Sequence, residues 1–197
     1  MRRFGLALVA LCALEACSLF FDTGSLQSGN GDSSNDAGTD DSGAGNLLVN
    51  GGFEEGTAAC GPGWSPTTGT MQRSTDAHSG SFSCELCPAG SAGSLTTTPD
   101  PKFSLGSSTA LYAEVYVKVE GTATSVVVLD VEELVSAGST LVNQKLTTLG
   151  AGWHLINANA YKPKDGGTGV TFDIQDQGID GGTPSCILID DARLLVQ

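Results

Sequence analysis

The sequence predicts an all-β protein, a β-sandwich of the jelly-roll kind, on three observations. From Asn46 to Gln197 apolar residues recur mainly at every second position, the repeat of strands with one buried face. The breaks in that pattern are turn chemistry: Gly-Pro-Gly at 61–63, Pro-Asp-Pro at 99–101, Lys-Asp-Gly-Gly at 164–167 and Asp-Gly-Gly at 180–182. The composition agrees, with 27 Gly among 197 residues and only 16% charged residues, too little Lys and Glu for a helical bundle. Residues 46–197 are enough to close one good core, and many short strands around one core make a sandwich.

The amino terminus is a targeting segment rather than part of the fold. Arg2 and Arg3 precede an apolar run from Phe4 to Leu14, too short to span a bilayer. The run ends in Leu14-Glu15-Ala16-Cys17, which resembles a bacterial lipoprotein signal. The resemblance implies loss of residues 1–16 and lipidation of Cys17. Ser18 after the cysteine, where Asp would retain the protein, implies the outer membrane. Three acyl chains would hold far more firmly than one. The alternative is an ordinary secretory signal cut near Ala16, leaving Cys17 free. The expected address is the cell envelope, exported and lipid-anchored.

Residues 17–45 complete the approach to the domain. The stretch from Asp22 to Gly45 reads DTGSLQSGNGDSSNDAGTDDSGAG, with five Asp, no Lys or Arg, and Leu26 as its one large apolar residue. Such a run cannot bury enough surface to offset its ordering entropy and is expected to be a disordered linker. A flexible linker of this length reaches roughly 25–30 Å.

Within 46–197 strands are expected at 46–50, 69–74, 81–87, 93–98, 110–119, 124–132, 140–148, 153–161, 169–176 and 186–196. The clearest is 110–119, where Leu111, Ala113, Val115, Val117 and Val119 share one face and Tyr112, Glu114, Tyr116 and Lys118 the other. The run Val126-Val127-Val128-Leu129 suits a strand buried on both faces. Residues 131–135 have room for one helical turn, and no longer helix is expected. With 9 basic against 22 acidic residues the net charge is −13. Phosphate backbones would be repelled, which excludes nucleic acid as a partner.

Three segments then line up: Asn46-Leu-Leu-Val-Asn-Gly-Gly-Phe-Glu-Glu-Gly56, Asp76-Ala-His-Ser-Gly-Ser-Phe-Ser83 and Ile187-Leu-Ile-Asp-Asp-Ala-Arg-Leu-Leu195. Together they resemble the galactose-binding-like jelly rolls of carbohydrate-binding module families 4, 9 and 22. Those domains open with N-L-(V/I)-x-N-G-(G/D)-F-E-x-G, carry an A-H-S-G-x-x-S hairpin and end in (I/V)-D-D-(V/A)-x-(L/V). The turn Gly150-Ala-Gly-Trp153 is similar to their G-W-x-x-(F/L), with Trp153 as a core anchor. The resemblance spans 46–197 and implies a structural calcium ion where first strand, hairpin and last strand meet. Gly52 would give a carbonyl, Glu54 a carboxylate, Ser79 and the carbonyl near Phe82 the hairpin donors, and Asp190 would close the site. An oxygen-only set suits calcium. Under strict alternation Asp190 shares a face with Leu188, Ala192 and Leu194, so its carboxylate would point into a core. There it needs a cation or hydrogen-bond donors. The alternative is that backbone amides, Lys or Arg satisfy Glu54 and Asp190.

Cys12 leaves with the signal, and four cysteines remain beyond Cys17: Cys60, Cys84, Cys87 and Cys186. An even number in an exported domain reads as two disulfides. Three pairings are open. A Cys84–Cys87 bridge is disfavoured, because residues three apart on a strand face opposite ways unless Pro88 marks a turn. Neighbouring hairpin and last strands favour Cys84 with Cys186, leaving Cys60 with Cys87. Thioredoxin-like chemistry would need the Cys-x-x-Cys at a helix start, and an exported setting favours disulfides over a zinc site.

No catalytic constellation stands out. His78 and His154 are the only histidines, and no Gly-x-Ser-x-Gly occurs. The stretch from Asp173 to Gly178 lacks the acid an EF-hand needs at its twelfth position, where Pro184 stands. Sugar binding calls for aromatic faces and polar side chains. Tyr112, Glu114, Tyr116 and Lys118 would make such a platform, with Trp64 and Tyr161 as further aromatics. The expected function is non-catalytic binding of a polysaccharide or cell-surface glycan. The competing expectation is a structural or adhesive envelope protein that uses the same fold for protein contacts.

Overall fold

In the computed structural model the described residues are 45–197 apart from 57–58, 99–109, 136, 164–166 and 180–184. The signal segment, Cys17, nearly all of the linker and most of the turn residues at 99–101, 164–167 and 180–182 lie outside the described residues. Ten strands follow in chain order: β1 (Gly63–Thr68), β2 (Thr70–Ser74), β3 (Ser83–Cys87), β4 (Gly93–Thr98), β5 (Leu111–Val119), β6 (Ser125–Val135), β7 (Gly138–Leu149), β8 (Trp153–Tyr161), β9 (Gly169–Asp176) and β10 (Ile187–Val196). No described residue is helical. Sheet I runs β1-β4-β9-β6-β7 and sheet II runs β2-β3-β10-β5-β8, both antiparallel throughout.

The facing sides of the two sheets make one core. Sheet I supplies Leu95, Val127, Leu129, Val131, Phe172 and Ile174, and sheet II supplies Leu86, Val115, Val117, Ile156, Ile187 and Ile189. The alternation in β5 appears as expected, with its five apolar residues buried and Tyr112, Glu114, Tyr116 and Lys118 half-buried on the solvent face. Val128 is also fully buried although it faces away from the core, as its unbroken apolar run suggested. Trp64, only 3% exposed, packs edge-on against Phe172 and near Phe53, and its indole donates to the Val49 and Asn50 carbonyls at 3.1 Å. This pins the opening loop to the end of the core.

Several expectations change. Residues 46–50 form no strand, only a single bridge from Asn46 to Leu195. The Asn46 side chain takes over, accepting from Leu48 N and Leu194 N and donating to the Ala192 carbonyl, while Asn50 turns to φ 51°. Residues 63–68 form an unforeseen strand, and Pro66 is tolerated there because β1 is an edge. Residues 131–135 make no helical turn: they extend β6, paired to β7 and β9 on both sides.

The disulfides are Cys60–Cys84 and Cys87–Cys186, not Cys84–Cys186 with Cys60–Cys87. Strands β3 and β10 are neighbours as expected, but their register sets Ile187 opposite Leu86. One step further, Cys186 meets Cys87. Cys84 lies two residues from Leu86 and points with it into the core, where Cys60 is fully buried too.

Asp190 is fully buried, yet not in the sandwich core. It lies opposite Tyr116, on the solvent face of sheet II. A bulge between Asp190 and Arg193 then reverses the alternation, with Asp191 at φ 47°, so that Ala192 and Leu194 join the core.

Candidate functional site

The bulge in β10 organises the corner where calcium was expected. Gly51 accepts from Ala192 N at 2.9 Å, and a side chain at Gly51 would collide with the Ala192 carbonyl. The hairpin between β2 and β3 folds over the same place. Asp190 Oδ2 accepts from His78 N at 2.7 Å and Ser79 N at 3.1 Å, and its Oδ1 from Asp191 N at 2.8 Å. Glu54 Oε1 accepts from Ser81 N at 2.7 Å and Phe82 N at 2.9 Å. Gly80, at φ 62°, sits against that carboxylate with no room for a methyl group. Arg73 lies over the Phe82 ring at 3.3 Å and donates to the Glu54 and Gly56 carbonyls.

The structure brings Glu54 to Phe82 and Asp190 to Ser79 at one corner, with Gly52 following Gly51 there; these are the residues that the resemblance names. The oxygen donors suit a hard cation, but five backbone N–H groups already point at the two carboxylates. Burial pushes the Asp190 carboxyl up to about 6, with the amides of Ser79, Asp191 and His78 pulling it back and the Asp191 charge adding to the rise.

The solvent face of sheet II carries the sequence-predicted platform. The hairpin covers much of it. The His78 ring stacks on Tyr116 with centroids 3.6 Å apart and meets Trp153 edge-on at 5.7 Å, so Trp153 is half-buried on this face and is not a core anchor. His78 Nδ1 lies 2.6 Å from Asp191 Oδ2, and Ser79 Oγ donates to Asp191 Oδ1 at 2.9 Å. Lys118 pairs with Asp76 on the hairpin, and Glu114 pairs with Arg193 at 3.5 Å. Burial and the neighbouring Glu114 push the Tyr112 hydroxyl up. The strand thus brings Tyr112, Glu114, Tyr116 and Lys118 to one face, but with Tyr116 roofed by His78. Trp64 and Tyr161 do not join them: one is interior and the other packs against the core.

The face of sheet I turned away from the core, on which Val128 and Asp130 are themselves buried, holds a polar row that sequence reasoning missed. Register sets Thr96 opposite Asp173, Asp173 opposite Asp130 and Asp130 opposite Gln144, across β4, β9, β6 and β7. Ser94, Gln175, Val128 and Leu146 form the adjacent row. Gln175 Nε2 donates to Asp130 Oδ2 at 3.0 Å and to Asp173 Oδ2 at 2.7 Å, and Ser94 Oγ donates to Asp173 Oδ1 at 2.7 Å. Asp130 is only 6% exposed. Burial pushes both carboxyls up, Asp130 against the pull of Gln144 and Asp173 against that of Ser94 and Gln175, while Glu132 raises both. The available signal was that Asp173 and Gln175 alternate with Phe172 and Ile174. Which strand lies beside them is not written locally.

No protein-family profile matches the chain, and no curated protein matches it. Solved structures do. The xylan-binding CBM22-1 domain from Paenibacillus barcinonensis superposes with a TM-score of 0.56 at 16% identity, covering 74% of this chain and 90% of that one. The fold is that of the carbohydrate-binding jelly rolls. A CBM61 jelly roll solved with beta-1,4-galactotriose gives a TM-score of 0.54 at 15% identity, covering 77% of this chain and 99% of that one. An arabinose-bound GH51 α-L-arabinofuranosidase gives 0.59 at 18% identity over 77% of this chain, which spans only 26% of that enzyme. At these identities the likeness is one of fold.

Proposed function

We propose that this jelly roll is a non-catalytic glycan-binding module whose binding surface is the solvent face of sheet I. The observation that carries the reading is the row Thr96–Asp173–Asp130–Gln144 with Ser94 and Gln175 beside it. Strands about 4.8 Å apart present donors and acceptors to successive sugar hydroxyls. Leu146, 56% exposed next to Val128, offers aliphatic surface to sugar C–H groups. Asp130 and Asp173 oppose each other on paired strands and share one amide donor, which leaves no space between them for a scissile bond or an attacking water. The xylan and galactotriose named for the modules of like fold support a polysaccharide ligand.

The same reading places the module in the cell envelope, exported by the signal at 1–16 and tethered through Cys17 at the outer membrane, with 17–45 as spacer. A structural calcium held by Glu54, Asp190 and the carbonyls of Gly52 and Phe82 belongs to it, in exchange for some of the five amide bonds. The competing reading, a structural or adhesive protein, is favoured by one observation: the hairpin closes much of the face of sheet II with Tyr116 under His78.

The test is binding of the full-length chain, held in detergent, to a panel of glycans and insoluble polysaccharides in calcium and in EDTA. Asp173→Ala and Gln175→Ala should each weaken binding about tenfold or more, and Tyr112→Ala should leave it unchanged. Loss on Tyr112→Ala instead would move the site to sheet II. A folded chain that binds nothing would favour protein contacts. Unchanged melting between calcium and EDTA would remove the ion.

A further inference from the structure

A strand at the edge of a sheet presents a row of backbone N–H and C=O groups, and proteins blunt such edges with Pro, charge, bulges or short length. Here β1 and β7 end sheet I, and β2 and β8 end sheet II. β1 carries Pro66 and breaks register between Pro66 and Thr68. β2 has five residues, and its Arg73 is folded over the hairpin. In β8 the Asn159 carbonyl accepts from the Asn143 side chain. β7 differs: at 12 residues it is the longest of the described strands, it has no Pro, and most of it is exposed. Leu141 and Leu146 are 49% and 56% exposed on it.

Charge says what can meet this edge. At −13 the chain repels another copy of itself over most of its surface. β7 and β8, joined through Asn143 and Asn159, carry no Asp or Glu, and Lys145 is their one Lys or Arg. This side of the sandwich is where a second copy approaches against the least repulsion.

The residues of β7 also complement themselves. Against β6, Leu146 lies opposite Val128, Gln144 opposite Asp130 and Leu141 opposite Glu132, so all three share the face turned away from the core. Asn143 lies opposite Val131, which leaves Val142 as the extra residue of a bulge. Two β7 strands laid antiparallel with Gln144 on the two-fold axis, each skipping Val142 as β6 does, bring Leu146 of one copy opposite Leu141 of the other, twice. Lys145 then faces Asn143, Thr147 faces Thr140 and Thr148 faces Ser139. An axis through Lys145 would instead set two ammonium groups face to face, which destabilises a strand pair. We propose that β7 is a self-association edge, through which two copies pair about a two-fold axis at Gln144 and join their five-stranded sheets I into one.

The test is sedimentation equilibrium of the full-length chain in density-matched detergent at low and high salt. A dimer should form, and it should tighten as salt screens the net charge. Leu141→Asp and Leu146→Asp each enter the seam twice, so each should weaken the dimer about tenfold or more, with the melting of the monomer unchanged. Cysteines read the register. Leu141→Cys chains mixed with Leu146→Cys chains should form a disulfide between copies on mild oxidation. Neither should do so alone, because like positions stand about 14 Å apart along the strands, beyond disulfide reach. The cysteine pair keeps the test standing if an Asp variant loses its fold. A chain that stays monomeric at about 0.1 mM in high salt overturns the proposal. A dimer that both Asp variants leave intact also overturns it, and assigns the association to the lipid anchor or another surface. Cross-linking in the Leu146→Cys sample alone overturns the axis at Gln144. None of these readouts involves a glycan, so the module proposed above stands or falls separately.

Discussion

Replacing Cys87 and Cys186 together by Ala, and separately Cys60 and Cys84 by Ala, measures how the two bridges hold the sandwich. Their sequence separations are 24 for Cys60–Cys84 and 99 for Cys87–Cys186. On the chain-entropy view, the first removes about 3.5 kcal/mol from the unfolded ensemble and the second about 4.7 kcal/mol. The two loops share no residue, so the costs should add, and the fourfold variant should lose about 8 kcal/mol. That is most of what an ordinary domain has. Urea unfolding of the three variants gives the free energies. Cleavage after Glu85 without reduction separates Cys84 from Cys87 and reports the pairing directly. A fragment joining Cys60 to Cys87 would refute the register argument. Strongly sub-additive losses would refute the disjoint loops, since interleaved bridges constrain much of the same chain twice.

Gly80→Ala should destabilise the domain by about 2–3 kcal/mol, from a left-handed backbone imposed on alanine and from displacement of the Glu54 carboxylate; urea midpoints check it. His78→Ala should cost about 1 kcal/mol through its stacking on Tyr116 while glycan affinity stays unchanged, which melting and calorimetry on one sample would show. The pH dependence should run against habit. Burial raises the folded-state values of Asp130, Asp173 and Asp190, and likewise of Glu120, where Glu85 adds to the rise, and of Asp176, against the pull of Ser125, so each folded carboxyl binds its proton more tightly than the unfolded one. Their stabilising contribution is complete below the ordinary carboxylate range and is lost as pH rises, for Asp190 through about 6. Urea midpoints should therefore fall between about pH 4 and pH 7, and a rise would contradict the burial assigned to these groups.

The strand from Leu111 to Val119 was fully legible, because one uninterrupted alternation fixes both faces. The meeting of opening loop, hairpin and last strand was legible only through the resemblance, which named Gly52, Glu54, Ser79, Phe82 and Asp190; the close approaches at Gly51 and Gly80 became visible in the structure. Asp190 itself was placed on the wrong side of its strand. A bulge inserts a residue without changing composition, so everything from Ala192 onward flips relative to simple alternation. The disulfide partners failed for a related reason: they depend on the register of β3 against β10, which no local pattern states. The Asp173–Asp130 row was hidden most completely. It exists only because β9 lies beside β6, and Thr171, Asp173 and Gln175 look in sequence like any solvated strand face.

The clamp of the opening segment on β10 has a mechanical consequence. Were the chain tethered through Cys17 and holding a ligand, as proposed above, load would enter through Asn46 and Leu47, whose bonds to Ala192 and Leu194 come first in series with the pull. If they give way, the chain can pay out only as far as Cys60, roughly 50 Å at full extension. There the force passes through a covalent bond into Cys84 at the heart of sheet II. The bridge near the start of the domain thus acts as a stop that leaves sheet I and its polar row outside the part that unravels.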